Sequence, residues 1–548
     1  MTIRHYHWER LLCILAAAVF ALAVTAFIAT FAAAVLPAFS QSASAAGTGY
    51  SVGELMRITA YTFAESLLSV LLAVAVGLPA AYYCSHKNFF LRRVIVSLSS
   101  VPLCIPPLLI ALGYIATFGM SGTVNKILMS LLYVDEPPLT FLYSFWGIVL
   151  TQGFYNFPLV MTTVANSWLS LDRRQEESAR LLGAGDFRIF RTITIYQLMP
   201  SIVSGAIPVF IYCFFSFMIV LLFGTAGGTT LEIAIYHAGR SVMNFRSAAV
   251  LALLETSCAA VILFVYTAAE HRTSSEDNTL FSADIIQRKK LTKTERAPAY
   301  LFLFVIALFF LLPLASIAIG AFTSRRGGAE GFSLAAVKRM ISMRGFAPAF
   351  LHTIETSCIT ALLCTVAGLV WAMVLRLSKR QKNTLLATVP LLPMAVSSVV
   401  TGIGMTLLVR RGSPVHLIIA QTALYWPFAY RQIHASASKI PQSVIDAATL
   451  LSYHRTDRLF RILLPYTKRG ILSALGFCFA MSAGDATLPL VLALQKFDTL
   501  SLFTYRLAGS YRFPEACASG LVLGLICITV FSVASHVSFQ PNSRRHSR

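Results

Sequence analysis

Charge is scarce in this sequence: Asp, Glu, Lys and Arg together make up 12% of its 548 residues. Soluble globular proteins carry roughly 25% charged residues, whereas 57% of this chain is hydrophobic. Apolar runs of about 20 residues recur along the chain, and a helix needs about that length to cross the hydrocarbon core of a bilayer. The composition therefore excludes a soluble domain and predicts an all-α polytopic membrane protein.

Acidic residues are the rarer charges, since 23 Asp and Glu stand against 44 Lys and Arg. The basic residues lie between the apolar runs and form no long basic tract, so positive-inside bias explains them better than nucleic-acid binding does. Placing both termini in the cytoplasm puts most Lys and Arg on the cytoplasmic side, although the outer loop at 323–351 is also basic. We therefore predict that both termini are cytoplasmic.

Signatures of metal sites and of catalysis are missing as well. The ten cysteines include no C-x-x-C pair, and the eleven histidines do not cluster at metal-ligand spacing. No His, Asp or Ser constellation typical of a membrane-embedded enzyme occurs, and the dipeptide Gly-Lys of a phosphate-binding loop is absent. We expect this chain to bind no metal and no cofactor, and its cysteines to serve as packing residues.

Twelve apolar spans can be identified in the sequence. Those of the first half lie near 11–36, 59–83, 94–118, 145–166, 198–223 and 247–269, and those of the second near 299–322, 352–375, 385–409, 415–436, 470–493 and 515–536. The run from Leu11 to Phe39 precedes an A-x-A-like site, as a secretory signal does. It is far longer than the ~7–15 residues of a signal-peptide core, so we interpret it as a retained span.

The spans divide the chain into six parts. These are a first span with its outer loop (1–58), the rest of the first half (59–269), a cytoplasmic linker (270–298), a seventh span with its outer loop (299–351), the rest of the second half (352–536) and a basic cytoplasmic tail (537–548).

The two halves repeat one another in register. The segment "QGFYNFP" at 152–158 matches "QTALYWP" at 421–427, an offset of 269. The same offset relates Tyr236 to Tyr505, and an offset of 291 relates Thr62 to Thr353 and Gly77 to Gly368. Because six spans separate equivalent points, both halves face the same way. This predicts two parallel six-helix repeats about a pseudo-two-fold axis along the membrane normal.

A charged segment between the fourth and fifth spans occurs in both halves, as "EESARLLGAGDFRIF" (176–190) and "DAATLLSYHRTDRLF" (446–460). In the first copy, Leu181 and Leu182 give a short helix an apolar side, and Gly183 allows the chain to turn without a Cβ penalty. An amphipathic helix on the lipid surface explains one such segment. Two copies at matched positions favour docking onto a two-fold partner.

These segments resemble the EAA-x3-G-x9-I-x-L-P signature of ABC importer permeases. The first reads Glu177-Ser178-Ala179, Gly183 and Ile193-Thr194-Ile195-Tyr196, and the second reads Asp446-Ala447-Ala448, Ser452 and Ile462-Leu463-Leu464-Pro465. The spacing is the same in both copies, while Ser178, Asp446, Ser452 and Tyr196 depart from the signature. Two halves fused in one chain are similar to the thiamine and ferric-iron importer permeases. "GGTTLEIAIYHA" (227–238) and "LAGSYRFPEACASG" (507–520) look most like the thiamine type.

The resemblance implies the type I importer permease fold in a bacterial inner membrane, an extracytoplasmic solute-binding protein, and a dimer of ATPase subunits that binds ATP-Mg. It assigns ATPase coupling to Glu177, Ser178, Ala179, Leu181, Leu182, Gly183, Asp446, Ala447, Ala448, Leu450, Leu451 and Ser452. Thiamine or a related small cation is the expected solute, with ferric iron or a polyamine as alternatives. An ion-coupled secondary transporter is the alternative of another class, although many such proteins have inverted repeats.

Carboxylates inside the spans are candidates for a substrate path. Glu255 lies in the middle of the sixth span, and Asp485 lies in the outer half of the eleventh. A charge at the bilayer centre costs at least ~2.5 kcal/mol, so such residues face a partner or a wet path. Either carboxylate attracts a cationic solute or forms a structural hydrogen bond between helices. Glu65 and Glu355 lie nearer the outer ends of their spans, where snorkelling or local pairing suffices.

Prolines mark the third and ninth spans, where Pro106 and Pro393 interrupt backbone hydrogen bonding. Such breaks are tolerated where neighbouring helices or a water-lined cavity satisfy the freed groups. Two interpretations are open: the proline-interrupted spans line the substrate path, or their kinks serve packing alone.

Overall fold

The computed structural model describes residues 2–39, 49–89, 92, 95, 105–169, 171, 174–224, 228–274, 289–326, 329–377, 389–409, 412–451 and 458–539. Nine helices within these ranges are long and apolar enough to cross a membrane. The strands in the same ranges form two short ribbons: Lys87–Asn88 (β1) pairs parallel with Lys289–Lys290 (β2), and Thr323–Arg326 (β3) pairs antiparallel with Ala329–Phe332 (β4). The predicted all-α class is confirmed.

The first half contains ten helices. They are α1 (Thr2–Val35), α2 (Val52–His86), α3 (Pro107–Phe118), α4 (Thr123–Leu132), α5 (Phe145–Leu169), α6 (Arg174–Leu181), α7 (Asp186–Phe214, with a π-helical turn at Phe190–Thr194), α8 (Met218–Phe223), α9 (Leu231–Tyr236) and α10 (Phe245–Ser274). Short 3-10 turns lie at Leu36–Phe39 and Phe141–Tyr143, and a π-helical turn at His237–Ser241 follows α9.

The second half follows the same order. Its helices are α11 (Lys293–Ile306, a π-helical turn Ala307–Leu311, then Leu312–Phe322), α12 (Ala335–Ser342), α13 (Phe346–Leu377), α14 (Ser398–Leu408), α15 (Pro414–Ala437), α16 (Gln442–Leu451), α17 (Leu464–Gly484), α18 (Thr487–Leu492), α19 (Leu500–Gly509) and α20 (Phe513–Phe539). A 3-10 segment at Val389–Ala395 precedes α14, and a π-helical turn at Leu459–Leu463 precedes α17.

Each predicted span coincides with helix in the described ranges. The fifth and eleventh spans are each broken near one end, as α7 with α8 and as α17 with α18. The first part of the third span, with residues 96–104, lies outside the described residues, as do 275–288 of the linker and 540–548 of the tail. The six-part division of the chain stays a prediction.

One hydrogen bond occurs in both halves and shows that the repeat extends to individual contacts. The Thr62 hydroxyl on α2 accepts from the backbone amide of Leu231, which begins α9, at 3.0 Å. Its equivalent Thr353 on α13 accepts from the amide of Leu500, which begins α19, at 2.6 Å. An amide at a helix start has no partner within its own helix, so the threonine satisfies it in place of a cap.

The first helix of each half packs on the other half. α1 lies against α13, α14 and α15, while α11 lies against α3 of the first half and α20 of its own half. Glycines permit both approaches: a Cβ at Gly404 on α14 would lie 1.9 Å from the Thr30 carbonyl oxygen, and one at Gly113 on α3 would lie 2.5 Å from the Pro313 carbonyl oxygen. Gly113 and Gly404 are repeat equivalents at the offset of 291. Each half therefore extends its first helix onto the other half, and the two halves are interlocked.

An ion pair joins the halves where α2 ends and α11 begins. Lys87 Nζ lies 2.6 Å from Glu295 Oε1, beside the β1–β2 ribbon. Glu295 also accepts from the Thr292 amide at 3.0 Å, as the acidic member of a capping box at the start of α11. The start of the second half is thus fixed to the first.

Of the two alternatives predicted for Glu65, the structure shows local pairing and not snorkelling. Glu65 is 0% exposed, because α2 packs against both α5 and α7 and turns this face into the bundle. The Ser66 and Ser69 hydroxyls each lie 3.4 Å from its carboxylate. Glu355 is exposed, as expected for a residue near the end of its span.

Candidate functional site: a central cavity and two surface helices

The short helices α6 and α16 carry the doubled motif at the protein surface. Two leucines at or just beyond the end of each helix are almost fully exposed: Leu181 and Leu182 at 89%, Leu450 at 88% and Leu451 at 89%. Burying such a side chain stabilises a protein by about 1.5–3 kcal/mol relative to leaving it in water. Equal exposure of the two pairs in two halves marks a duplicated apolar contact surface.

Gly183 sets the end of α6. Its φ of +84° is a left-handed conformation that other residues rarely adopt, and nothing lies within 4 Å of a Cβ built there. Its amide donates to the Arg180 carbonyl at 2.9 Å, and the Ala184 amide donates to the Ala179 carbonyl at 3.0 Å. Arg180 then pairs with Asp186 across the turn at 3.1 Å. The predicted helix, turn and helix are present.

The other motif residues divide between the two sides of these helices. Glu177, Ser178, Asp446 and Ala447 are exposed. Ala179 is half-buried and Ala448 is buried, so the last alanine of each triplet faces the bundle. Ser452 lies outside the described residues.

Two polar contacts hold α6 against α7. The Thr194 hydroxyl donates to Glu176 Oε1 at 2.6 Å, and Gln197 Nε2 donates to Gln175 Oε1 at 2.8 Å. Thr194 belongs to the π-helical turn of α7, a feature frequent at functional sites. The equivalent turn before α17 is also π-helical. These contacts connect α6 directly to a membrane-spanning helix.

A cavity of about 270 Å³ lies between the halves. Its wall includes Pro106, Pro393 and Asp485, three of the four residues predicted for a substrate path. Aromatic side chains make up much of the remainder: Tyr155, Tyr212, Phe215, Phe217, Tyr425, Phe428 and Phe477. The two prolines therefore lie at a cavity rather than in closely packed helix.

Asp485 occupies the break between α17 and α18. Its Oδ1 accepts from the backbone amides of Thr487 at 2.9 Å and Leu488 at 3.1 Å, and its Oδ2 accepts from Gln421 Nε2 at 3.2 Å. Among the described residues it is the one acidic side chain on the cavity wall. These bonds hold a negative group in a fixed place, because amides at a helix start favour an anionic acceptor.

Glu255 does not line this cavity. It is 0% exposed on α10, and it interacts with Glu232 of α9, which is also 0% exposed. Neither carboxylate has a hydrogen bond within 3.5 Å to the described residues, although the Ser397 hydroxyl on the cavity wall interacts with both. Because both carboxylates are fully buried and neither is among the lining residues of the cavity, the pair lies behind the wall.

Sequence reasoning did not single out Gln152, Gln421, Tyr425 or Glu232. The two glutamines open the matched segments "QGFYNFP" and "QTALYWP", so the repeat carried a signal for them. Glu232 lies in an apolar stretch and gave no periodic signal. No group of three or more His, Cys, Asp or Glu within the described ranges is placed to hold a metal ion.

Two like-oriented helical halves, a cavity between them and a duplicated surface helix together define an inner-membrane permease with two fused halves. The chain belongs to the family of binding-protein-dependent transport system inner membrane components. The sequence model of this family matches residues 73–275 and again 364–545. The double match confirms the internal repeat. Membership makes the chain a multi-pass component of an ABC importer that serves a solute-binding protein, with transport rather than enzymatic activity.

Individual relatives match over most of the chain. It is 26% identical to the thiamine transport system permease protein ThiP of Brucella abortus (strain 2308) over 538 residues, 94% of each chain. It is also 26% identical to ThiP of Escherichia coli (strain K12) over 497 residues, 87% of this chain and 88% of the relative. A putative 2-aminoethylphosphonate transport system permease protein, PhnU of Salmonella choleraesuis (strain SC-B67), is 27% identical over 222 residues, 40% of this chain and 76% of the relative.

Proposed function

We propose that this chain is the permease subunit of an ATP-driven importer of thiamine. Relatives named as thiamine permeases match 94% and 87% of its length. The energy source and the solute are supported by two separate features of the chain itself.

The matched leucine pairs of α6 and α16 are the observation that carries ATP-driven coupling. A two-fold ATPase dimer offers two equivalent clefts, and a duplicated protrusion fits a duplicated surface. In this proposal the leucines fill those clefts, while Glu177 and Asp446 meet basic residues of the ATPase. ATP-Mg is bound by the partner subunits, and α6, α16 and both termini lie in the cytoplasm.

The cavity wall favours a flat organic cation as the solute. Aromatic faces attract cations, and Asp485 supplies one negative charge for the single positive charge of thiamine. Ferric iron requires several charged oxygen ligands, and a polyamine requires several carboxylates, so this wall suits them less well. ATP binding would draw α6 and α16 together, and the halves would tilt to open the cavity to one side at a time.

Coupling is tested by assembling the permease with its ATPase and binding protein in proteoliposomes. We expect thiamine uptake to require ATP, and the double variant Glu177→Lys with Asp446→Lys to lose both ATPase binding and uptake. Normal assembly and transport by this double variant would contradict the coupling assignment. Uptake that survives ATP depletion but collapses with an uncoupler would instead identify a secondary transporter.

The solute is tested with Asp485→Asn, which keeps an oxygen for the amides of Thr487 and Leu488 but removes the charge. We expect the KM for thiamine to rise about tenfold, the equivalent of ~1.4 kcal/mol of lost attraction. Asp498→Asn is the control, because Asp498 pairs with Arg506 at 2.7 Å and is not among the cavity residues. An unchanged KM in Asp485→Asn would argue against cation recognition at this cavity.

A further inference from the structure

The repeat supplies an internal comparison for one residue of the cavity. Gln152 on α5 and Gln421 on α15 are equivalent at the offset of 269, and each is 1% exposed. Gln152 lies on the cavity wall, whereas Gln421 lies behind Asp485. Since residue type and burial are the same, any difference in their roles comes from their surroundings.

Gln421 is a structural amide whose hydrogen bonds are all made. Its Oε1 accepts from the Ser482 hydroxyl at 2.7 Å and the Thr360 hydroxyl at 3.2 Å. Its Nε2 donates to the Ser482 carbonyl at 3.3 Å and to Asp485 Oδ2 at 3.2 Å. These bonds join α13, α15 and α17.

Gln152 makes none of these bonds. Neither its Oε1 nor its Nε2 has a hydrogen-bond partner among the described residues. The residues equivalent to Thr360, Ser482 and Asp485 are Ser69, Cys213 and Ser216. The Ser69 hydroxyl donates to Glu65 at 3.4 Å, and Cys213 accepts from Asn156 at 3.7 Å. The first half has therefore lost the partners that satisfy this amide in the second.

A buried amide without partners destabilises a protein, whereas an apolar side chain of the same shape would not. Asn156, one turn further along α5, donates to the Gln152 backbone carbonyl at 3.0 Å and also lies on the cavity wall. The first half thus brings two amide side chains to a wall that is otherwise mostly aromatic and aliphatic. An amide kept there at a cost to stability is explained by a partner that it gains during transport.

We infer that the Gln152 amide is a specificity-determining group that hydrogen-bonds the solute when the cavity is loaded. An amide offers one acceptor and an adjacent donor, and glutamine pairs in this two-point manner with a ring amine beside a ring nitrogen. Thiamine carries such an edge on its aminopyrimidine ring. This inference rests on the proposed function. In it, Asp485 of the second half recognises the charge of the solute, and Gln152 of the first half recognises its amine-bearing ring.

The test compares Gln152→Met with Gln421→Met in the assembled importer. Uptake is measured for thiamine and for its analogue in which a carbonyl oxygen replaces the ring amine, each delivered by the same loaded binding protein. We expect Gln152→Met to lower the ratio of thiamine uptake to analogue uptake about tenfold. In Gln421→Met we expect an unchanged ratio, because that side chain lies behind the wall.

Thermal unfolding of the purified permease provides a second readout that does not depend on uptake. We expect Gln152→Met to raise the melting temperature, since it removes an unpaired buried amide, and Gln421→Met to lower it, since it breaks four hydrogen bonds. If the wild-type permease transports thiamine and Gln152→Met leaves the uptake ratio unchanged, the inference about Gln152 is overturned while the proposed function stands. Wild-type protein that does not transport thiamine would overturn the proposed solute, and the inference with it.

Discussion

Pro106 of the first half lies directly against Gly484 of the second, so that a Cβ built on Gly484 would come within 2.5 Å of Pro106 Cγ. Both residues lie on the wall of the central cavity. The proline ring is bonded to its own backbone and cannot rotate away. This contact between the halves therefore tolerates no side chain at position 484.

Gly484→Val is expected to destabilise the permease by about 1–3 kcal/mol, the usual cost of overpacking. It is also expected to reduce uptake, because the added methyl groups push the halves apart at the cavity. Thermal unfolding and transport assays measure the two effects. Gly509→Ala is the control, since nothing lies within 4 Å of its Cβ position. Wild-type stability in Gly484→Val would show that Pro106 is free to shift.

Gly404→Val is expected to displace α1 from its groove on α14. The new Cβ would lie 1.9 Å from the Thr30 carbonyl oxygen, a backbone atom that cannot move alone. A disulfide engineered between α1 and α14 should therefore form more slowly, and the melting temperature should fall. Gly53→Ala is the matched control, because its nearest neighbour, Ser51 Oγ, is 3.9 Å away. Unaltered crosslinking in Gly404→Val would argue against this close crossing.

Replacing Leu181 and Leu182 by Glu is expected to abolish ATPase binding without unfolding the permease. Surface substitutions usually change stability by less than about 0.5 kcal/mol, and both leucines are almost fully exposed. Co-purification of the ATPase and the melting temperature of the permease are measured together. Leu198→Ala on α7 should behave in the opposite way: Leu198 is 0% exposed, so ~2–5 kcal/mol of stability is lost. A leucine variant that unfolds would show that the pair packs inside the protein.

Glu255→Gln is expected to leave uptake intact and to keep or raise stability. The substitution keeps the shape of the side chain and replaces a buried carboxyl group by a neutral amide, so no charge has to be buried at position 255. Uptake rate and melting temperature are the measurements, with the exposed Glu355→Gln as control. Folded protein that has lost thiamine uptake would place Glu255 on the substrate path, as its position in the middle of a span predicts.

Hydropathy and the internal repeat were sufficient to predict the helical spans and the two surface helices. Both signals are local: a span needs only its own length of apolar residues, and the exposed leucines follow from a motif that occurs twice. The partners of α1 and α11 could not be predicted in this way. Gly113 and Gly404 indicate that some backbone approaches closely, but which helix fills each groove depends on packing across the whole bundle.

The surroundings of buried polar residues also depend on packing across the bundle and could not be predicted from local patterns. The position of Glu65 near the end of a span left snorkelling and local pairing open, and packing of α2 against α5 and α7, which buries it, decides for pairing. The sequence likewise presented Gln152 and Gln421 as equivalents. Their different hydrogen bonding depends on residues 60 or more positions away, such as Cys213 and Ser482, and a motif comparison does not include these.

The crossing of α1 and α11 limits how this transporter can be divided and how it can move. A half produced alone would keep its own first helix without the groove that receives it, and would leave the groove for its partner's first helix empty. Severing the polypeptide between the halves should consequently be tolerated only when both fragments are synthesised together. Once assembled, the fragments would pivot about the two crossed helices but could not come apart without withdrawing both.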